Sequence, residues 1–247
     1  MTVVTATLNQ IPGLAKPRRK FVAALLATIW VLRGRVNYRN LARYGEDCER
    51  RYARQFAPPF PWLAYHAQRL RDAVPATPEL MAAQEASFIP KSGQHTPGLG
   101  QFYNGCAARA ARGWESSARA VVDLTQKGAY VAAVTPTPTP PQGKKAPVEL
   151  TRLEQAMAQV QTARPHLPAG VRYLAADGWY AKQKYADARV ALGLEGVTKL
   201  RYDANMRFRF TGERTGPRGR RKTYDGKVNW QDLRRFDRVD TAALDLA

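Results

Sequence analysis

The sequence predicts an α/β protein: a helical N-terminal region followed by a mixed sheet with helices. Three observations carry this expectation. Apolar residues recur at helical spacing from Pro17 to about Val74. From residue 80 onward, short apolar runs bounded by Pro, Gly and turn residues alternate with helical patterns, as strands interleaved with helices do. Hydrophobic residues make up 45% of the 247, which supports one large or two small packed domains and excludes a disordered tail.

Charge narrows the partner. Lys and Arg number 39 against 20 acidic residues, a formal +19, and the isoelectric point is near 10.4. Such a surface attracts a polyanion, most simply nucleic acid, with an anionic membrane surface as the weaker alternative. The longest apolar run, Phe21 to Leu32, has 12 residues, too short to span a bilayer. It starts about twenty residues in and no small-residue cleavage site comes after it, so it reads as a helix and not a signal peptide. The location expected is cytoplasmic, at the bacterial nucleoid, with no membrane partner. Cys48 and Cys106 make neither a disulfide framework nor a zinc cluster, and His66, His95 and His166 have no ligand spacing.

Residues 1–16 lack periodicity and are expected to be a flexible N-terminus. Residues 17–79 read as a helical, helix-turn-helix-like DNA-binding region. Pro17 suits a first helical turn, and "FVAALLATIWVL" supplies the apolar body. "NYRNLARY", Gly45 and "EDCERRYARQF" then read as helix, turn, helix, with Asn37 and Glu46 as starts and acidic residues at the dipole-favoured end of the second. Arg50, Arg51 and Arg54 fall on that second helix. Ten basic against three acidic residues between Pro17 and Arg54 give a net +7. This fits a helix-turn-helix contact with DNA; it fits equally an ordinary helical bundle with a solvated basic face. "PPFPW" interrupts the region at Pro58 to Trp62.

Residues 80–204 change character. "ASFIPKSG" reads as a short strand and "GLGQFYNGC" as a loop, too irregular for a phosphate-binding loop because no "GK[ST]" comes after it. "SARAVVDL" and "AYVAAVTP" read as a hairpin closed by "TQKG". "TPTPTPPQGKK" is an extended connector, and "VELTRLEQAMAQVQTA" is a helix with Leu150, Leu153, Met157 and Val160 on one face. "VRYLAAD", "KQKYADARVAL" and "GVTKLR" come next as strand, helix, strand. Three antiparallel strands and then alternating helix and strand is the layout of the ribonuclease H-like fold, here incomplete. That fold places one carboxylate on the first strand and a second just after the fourth, where Asp177 falls.

A lone Asp ending the apolar run "YLAA" has an ordinary reading as the cap of the helix after the strand. Its other reading is chemical, since open α/β sheets place their sites at the carboxyl ends of strands. Phosphodiester cleavage by two metals needs carboxylates around a pair of divalent ions, and hard oxygen ligands suit Mg²⁺ or Mn²⁺. The carboxylate available on the first strand is Glu85, for which a solvent-exposed structural role is the alternative. Glu reaches one methylene further than Asp, so metal geometry there is altered.

"ASFIPKSGQHTPGLGQFYNGCAARAARGWE", "LAADGWYAKQKYADA" and "KLRYDANMRFRFTG…GRRKTYDGKVNW" resemble DDE-type insertion-sequence transposases of the IS-four-like group, and "FVAALLATIWVLRGRVNYRNLARY" resembles that group's helical N-terminal region. The similarity runs from about residue 17 to the end. It implies Glu85 at the position of the first catalytic Asp and Asp177 at the second, both as metal ligands. The third member would be a Glu on a helix beyond the strand-rich segment that starts near Asn205. The chain ends at Ala247 inside that segment, so the third carboxylate is expected to be missing and the copy C-terminally truncated; Asp225, Asp232 and Asp237 lie in the wrong context to replace it. The implied activity is cut-and-paste DNA transposition: metal-dependent cleavage at the element ends, then attack of the freed 3′-hydroxyl on target DNA. It is expected to be impaired here. The alternative is a non-catalytic DNA-binding remnant or regulator. The partners implied are double-stranded DNA at element ends and target, with a homodimer as the candidate assembly.

Residues 205–247 read as a basic, strand-rich insertion, truncated. From Arg201 to Thr223 there are eight basic and two acidic residues, a net +6. Arg207 and Arg209 alternate with Phe208 and Phe210, as on a strand with one basic face. "GPRGRRK", with Arg218, Arg220, Arg221 and Lys222, reads as a flexible arm that meets phosphates, mostly without sequence readout.

Overall fold

The structure, a computed structural model, describes residues 2–74, 79–91, 96, 98–139, 150–200, 204–213, 219–232 and 234–237. The chain divides into two compact units, Met1–Lys199 and Leu200–Ala247.

In the first unit, five helices come first: α1 (Thr2–Asn9), α2 (Lys16–Val31), α3 (Tyr38–Tyr44), α4 (Glu49–Phe56) and α5 (Trp62–Ala73). α1 corrects the flexible N-terminus expected for residues 1–16. Leu8 and Ile11 bury against Phe21, Val22 and Leu25 of α2, and the Thr7 hydroxyl donates to Asp72 of α5 at 3.2 Å. Two buried side chains per short helix were too few to register as a period in the sequence. Asn37 caps α3 by accepting from the Asn40 N–H at 2.9 Å. α4 starts at Glu49 and not at Glu46; Glu46 and Asp47 stand in the turn, where Asp47 pairs with Arg51 at 3.1 Å. Leu41 of α3 and Tyr52 of α4 are buried in one cluster with Phe21, Val22 and Leu25 of α2.

The sheet comes next: β1 (Leu80–Pro90), β2 (Gly100–Asn104), β3 (Arg109–Asp123), β4 (Gly128–Pro136), then α6 (Arg152–Ala163), β5 (Tyr173–Ala176), α7 (Gln183–Ala191) and β6 (Glu195–Thr198). β1 pairs antiparallel with β3 along its whole length and parallel with β5, and β5 pairs parallel with β6. β2 and β4 both pair with the far side of β3, one at each end. Counting β2 as an extension of that edge, this is the mixed sheet of a ribonuclease H-like fold, with the fourth strand beside the first.

β2 corrects the loop expected for "GLGQFYNGC". Phe102 is buried while Gln101 and Tyr103 face outward, and Gly100 pairs with Gly113. The glycines serve close approach: a Cβ on Gly113 would collide with the Phe88 ring and lie 2.5 Å from the Ile89 carbonyl. β3 accordingly begins at Arg109, eight residues before the start its sequence suggests.

The helices cover one face of this sheet. Leu80, Ala82, Val121 and Leu174 share a core with Leu70 of α5, Ala156 and Val160 of α6, and Tyr185 of α7. Leu70 in that core places the expected 79/80 boundary inside the first unit. α6 opens on a capping box, Thr151 with Glu154. On the other face, alternation presents Met81, Ala83 and Ala175 with the exposed Tyr173, Val131, Val134 and Val197. The second unit contains a two-stranded antiparallel sheet, β7 (Arg207–Arg209) with β8 (Tyr224–Lys227). No helix among the described residues is long and apolar enough to cross a membrane.

Candidate functional site

β1 and β5 end their pairing with Gln84 opposite Ala176. Glu85 and Asp177 are the next residues, so their backbones stand about 5 Å apart, the spacing of neighbouring strands. Gln84 is buried and Glu85 exposed, so alternation turns Glu85 out of the core, at the carboxyl end of the adjacent β5. The Glu85 carboxyl is held above the ordinary carboxylate range, first by partial desolvation and then by the charge of Asp177.

Asp177 does two things at once. Its Oδ1 accepts from the Trp179 N–H at 2.9 Å and caps the 3₁₀ turn Gly178–Tyr180. Its Oδ2 takes no hydrogen bond among the described residues. Its carbonyl accepts from the Thr198 hydroxyl at 3.0 Å, which ties the turn to β6. Capping and proximity to Glu85 are therefore not alternatives.

Beneath the pair, the strand is fixed by a buried polar network. Gln84 donates to the Ser117 hydroxyl at 3.2 Å and accepts from the Tyr185 hydroxyl at 2.6 Å. This joins β1 to β3 and α7 and holds the backbone that carries Glu85. The Tyr180 phenol is pushed up to about 12 by burial, with the charges of Glu85 and Asp177 adding to it, so it is a neutral hydroxyl at neutral pH.

A cleft of about 380 Å³ runs from Glu85 and Asp177 past Tyr180 to Glu115 and Arg152. Glu115 is nearly buried; it accepts from the Thr137 hydroxyl at 2.9 Å and pairs with Arg152 at 3.2 Å. Arg152 opens α6, where the helix dipole disfavours a cation, and Glu115 offsets that. Gln155 donates to the Leu150 carbonyl at 3.1 Å and leaves its buried Oε1 unpartnered in the cleft wall. Arg119, also buried, donates to Gln159 at 2.8 Å and to Thr135. None of Glu115, Arg152 or Gln155 was singled out from sequence. The available signal was polar residues at Glu115, Ser117 and Arg119, which share strand parity with the core residue Val121.

The donor set is all oxygen, which suits Mg²⁺ or Mn²⁺. Among the described residues no group of three or more His, Cys, Asp or Glu side chains is placed to hold a metal. Two carboxylates with open flanks fit a single hard cation that keeps its remaining positions for water and phosphate oxygens; they do not fit a two-ion clamp. Asp225 and Asp232 are engaged elsewhere, Asp225 with Lys222 and Arg235, each at 2.8 Å, and Asp232 with Arg234 at 2.6 Å.

The basic residues fall in two places. On α4, Arg50 and Arg54 are exposed on one face, one turn apart, while Arg51 is also exposed but tied to Asp47. In the second unit, Arg207 and Arg209 project from β7 on either side of the half-buried Phe208, and the Arg207 guanidinium lies 5.6 Å from the Tyr224 ring centroid. Arg220, Arg221 and Lys222 are exposed, with Lys222 4.7 Å from the Phe210 ring centroid. Arg218 lies outside the described residues.

No protein-family model and no curated protein matches the sequence. Among solved structures, the chain is similar to the piggyBac transposase in a synaptic complex with hairpin DNA, with a TM-score of 0.39 and 15% identity. The match covers 82% of this chain and 41% of that one, so this chain spans about two-fifths of that protein's length.

Proposed function

We propose that the chain is a transposase-type DNA-binding protein whose strand-cleaving site is incomplete. One observation carries the reading: in a chain of net charge +19, Glu85 and Asp177 stand side by side at the open carboxyl end of a ribonuclease H-like sheet. The basic surface binds duplex DNA by neutralising phosphates. Glu85 and Asp177 would hold one divalent cation, with DNA phosphate oxygens and water filling the rest of its shell. Bound there, such an ion would supply Lewis-acid polarisation of a phosphoryl oxygen. The chain's own residues set the rest: the Gln84 network holds β1 in register with β5, and the Trp179 N–H orients the Asp177 carboxylate. The absence of a third ligand in reach among the described residues favours DNA binding with weak or no cleavage over an active transposase.

The test uses the full chain with linear duplex and supercoiled plasmid. Duplex affinity should fall steeply with salt, Mg²⁺ or Mn²⁺ should bind weakly, and nicking should be slight. Replacement of Asp177 by Ala should abolish the cation binding and leave duplex affinity in place. Robust Mg²⁺-dependent nicking that survives Asp177→Ala would remove Asp177 from the site. Robust nicking lost on that change would show that two carboxylates suffice.

A further inference from the structure

The turn between α2 and α3 is an unusual point on the first unit. Trp30 is 81% exposed, Val31 61% and Val36 59%, the most exposed cluster of large apolar side chains among the described residues. Trp30 and Val31 lie past Thr28, the last buried residue of α2, and Trp30 makes no ring contact among the described residues. Between them and Val36 stand Arg33 and Arg35, both exposed and neither in an ion pair among the described residues.

The turn is held in one shape. Gly34 takes a φ of +93°, which a residue with a side chain adopts only under strain. The Asn40 side-chain amide donates to the Arg35 carbonyl at 2.8 Å, and Asn37 caps the next helix. A fixed backbone thus presents an indole and two guanidinium groups to solvent. The setting is basic throughout: no Asp or Glu precedes Glu46, while eight Lys and Arg do.

That charge decides the occupant. A neutral protein surface would satisfy the apolar side chains and leave the cations of Arg33 and Arg35 unmatched; a polyanion with an apolar interior satisfies both. Duplex DNA offers this in its minor groove, where apolar wedges enter between base steps while flanking arginines track the groove and its phosphates. We propose that the α2–α3 turn is a minor-groove wedge, with Trp30 entering at a base step and Arg33 and Arg35 lying along the groove. The proposal rests on the DNA-binding reading above and assigns a contact separate from Arg50 and Arg54 on α4.

The experiment measures affinity of the full chain for an end-labelled A·T-rich duplex by anisotropy, and bending by energy transfer between dyes at the duplex ends. Wild type should bend the duplex, as wedge insertion kinks DNA by roughly 20–90°. Trp30→Ala should lose the bend and weaken binding roughly 5- to 100-fold, the range for removing one aromatic stacked on a base. Trp30→Phe should restore most of both. Arg33→Ala with Arg35→Ala should lower the salt slope of log K by about 1.8, two phosphates' worth. Trp30 is so exposed that its replacement should leave the melting temperature unchanged, which the same samples report. If Trp30→Ala binds and bends like wild type while Arg50→Ala with Arg54→Ala loses affinity, the wedge is wrong and DNA binding stands. If wild type binds no duplex, both readings fall. Binding to phosphatidylglycerol vesicles that needs Trp30, with duplex binding that does not, would overturn the wedge in favour of a membrane contact.

Discussion

Replacing Asp177 by Asn separates its two roles. Asn keeps an Oδ1 acceptor for the Trp179 N–H and removes the charge that faces Glu85. At the spacing of neighbouring strands, about 5 Å, two like charges repel by ~0.8 kcal/mol in water and ~3 kcal/mol at an effective dielectric constant of 20. Both side chains are exposed, so the relief should lie near the lower figure, about 1 kcal/mol, or a rise in melting temperature of roughly 2–4 °C for a chain of this size. Ala removes the same repulsion and also the cap, worth about 1 kcal/mol, so Asp177→Ala should come out close to wild type. The pH dependence comes from Glu85. Its folded-state pKa is raised above 4.5, so the native state holds that proton to higher pH than the unfolded chain does. This contribution to stability is full below the unfolded value and is lost as pH rises through the folded one. The advantage of Asn should therefore be largest at neutral pH and low salt, shrink in acid where Glu85 is protonated, and shrink again in high salt. Urea unfolding across pH, with and without Mg²⁺, measures all of this; Mg²⁺ should stabilise wild type more than either variant. An Asn variant no more stable than wild type at neutral pH and low salt, beside a clearly weakened Ala variant, would show that Asp177 is a cap and nothing else.

Two further predictions concern the scaffold. A Cβ on Gly45 would collide with the Tyr52 hydroxyl and lie 3.0 Å from the Leu41 carbonyl, and Tyr52 is 2% exposed with no room to swing away. Gly45→Ala should therefore destabilise the first unit by about 1–3 kcal/mol in urea unfolding, and adding Tyr52→Phe should recover part of the loss. Thr151→Ala removes the hydroxyl half of the capping box on α6, leaves the backbone N–H of residue 151 donating to Glu154, and should lower stability by about 1 kcal/mol; no change in the urea midpoint would mean that the packing of α6 on the sheet alone fixes its first turn.

Elements with a strong period were legible. α2, α6 and the turn that joins β3 to β4 stand where their apolar spacing and turn residues put them, because one periodic face buries against one core. β2 was not legible, since its Gly100 serves close packing against Thr139 and looks, in sequence, like a turn residue. α1 was missed because its burial depends on residues far along the chain, Asp72 among them. Asp177 could be asked about because it ends an apolar run, and Glu85 because it is the carboxylate on the first strand; the structure sets them at the neighbouring ends of the β1–β5 pairing. Glu115 was not, because its partners Thr137 and Arg152 come from beyond the hairpin and from the far end of the connector. Yet β3 did carry a local warning. Glu115, Ser117 and Arg119 occupy core-facing parity beside Val121, and polar residues at such positions are where local rules give way to function.

The exposure of the carboxylate pair bears on the size of its ligand. A site for a small molecule encloses most of its ligand in a concave, largely apolar pocket. Glu85 and Asp177 are instead exposed at one end of a cleft whose walls carry the charged and polar side chains of Glu115, Arg152 and Gln155. Their charge is opposite in sign to that of the chain as a whole, so a polyanion drawn in by +19 meets repulsion at this one place unless a cation lies between. An open pair of carboxylates on a basic protein is thus matched to a large, phosphate-bearing ligand that brings a divalent ion with it. The same charge balance predicts a coupling: duplex should raise the affinity for Mg²⁺ at Glu85 and Asp177, and Mg²⁺ should raise the affinity for duplex by the same factor, because the coupling is reciprocal.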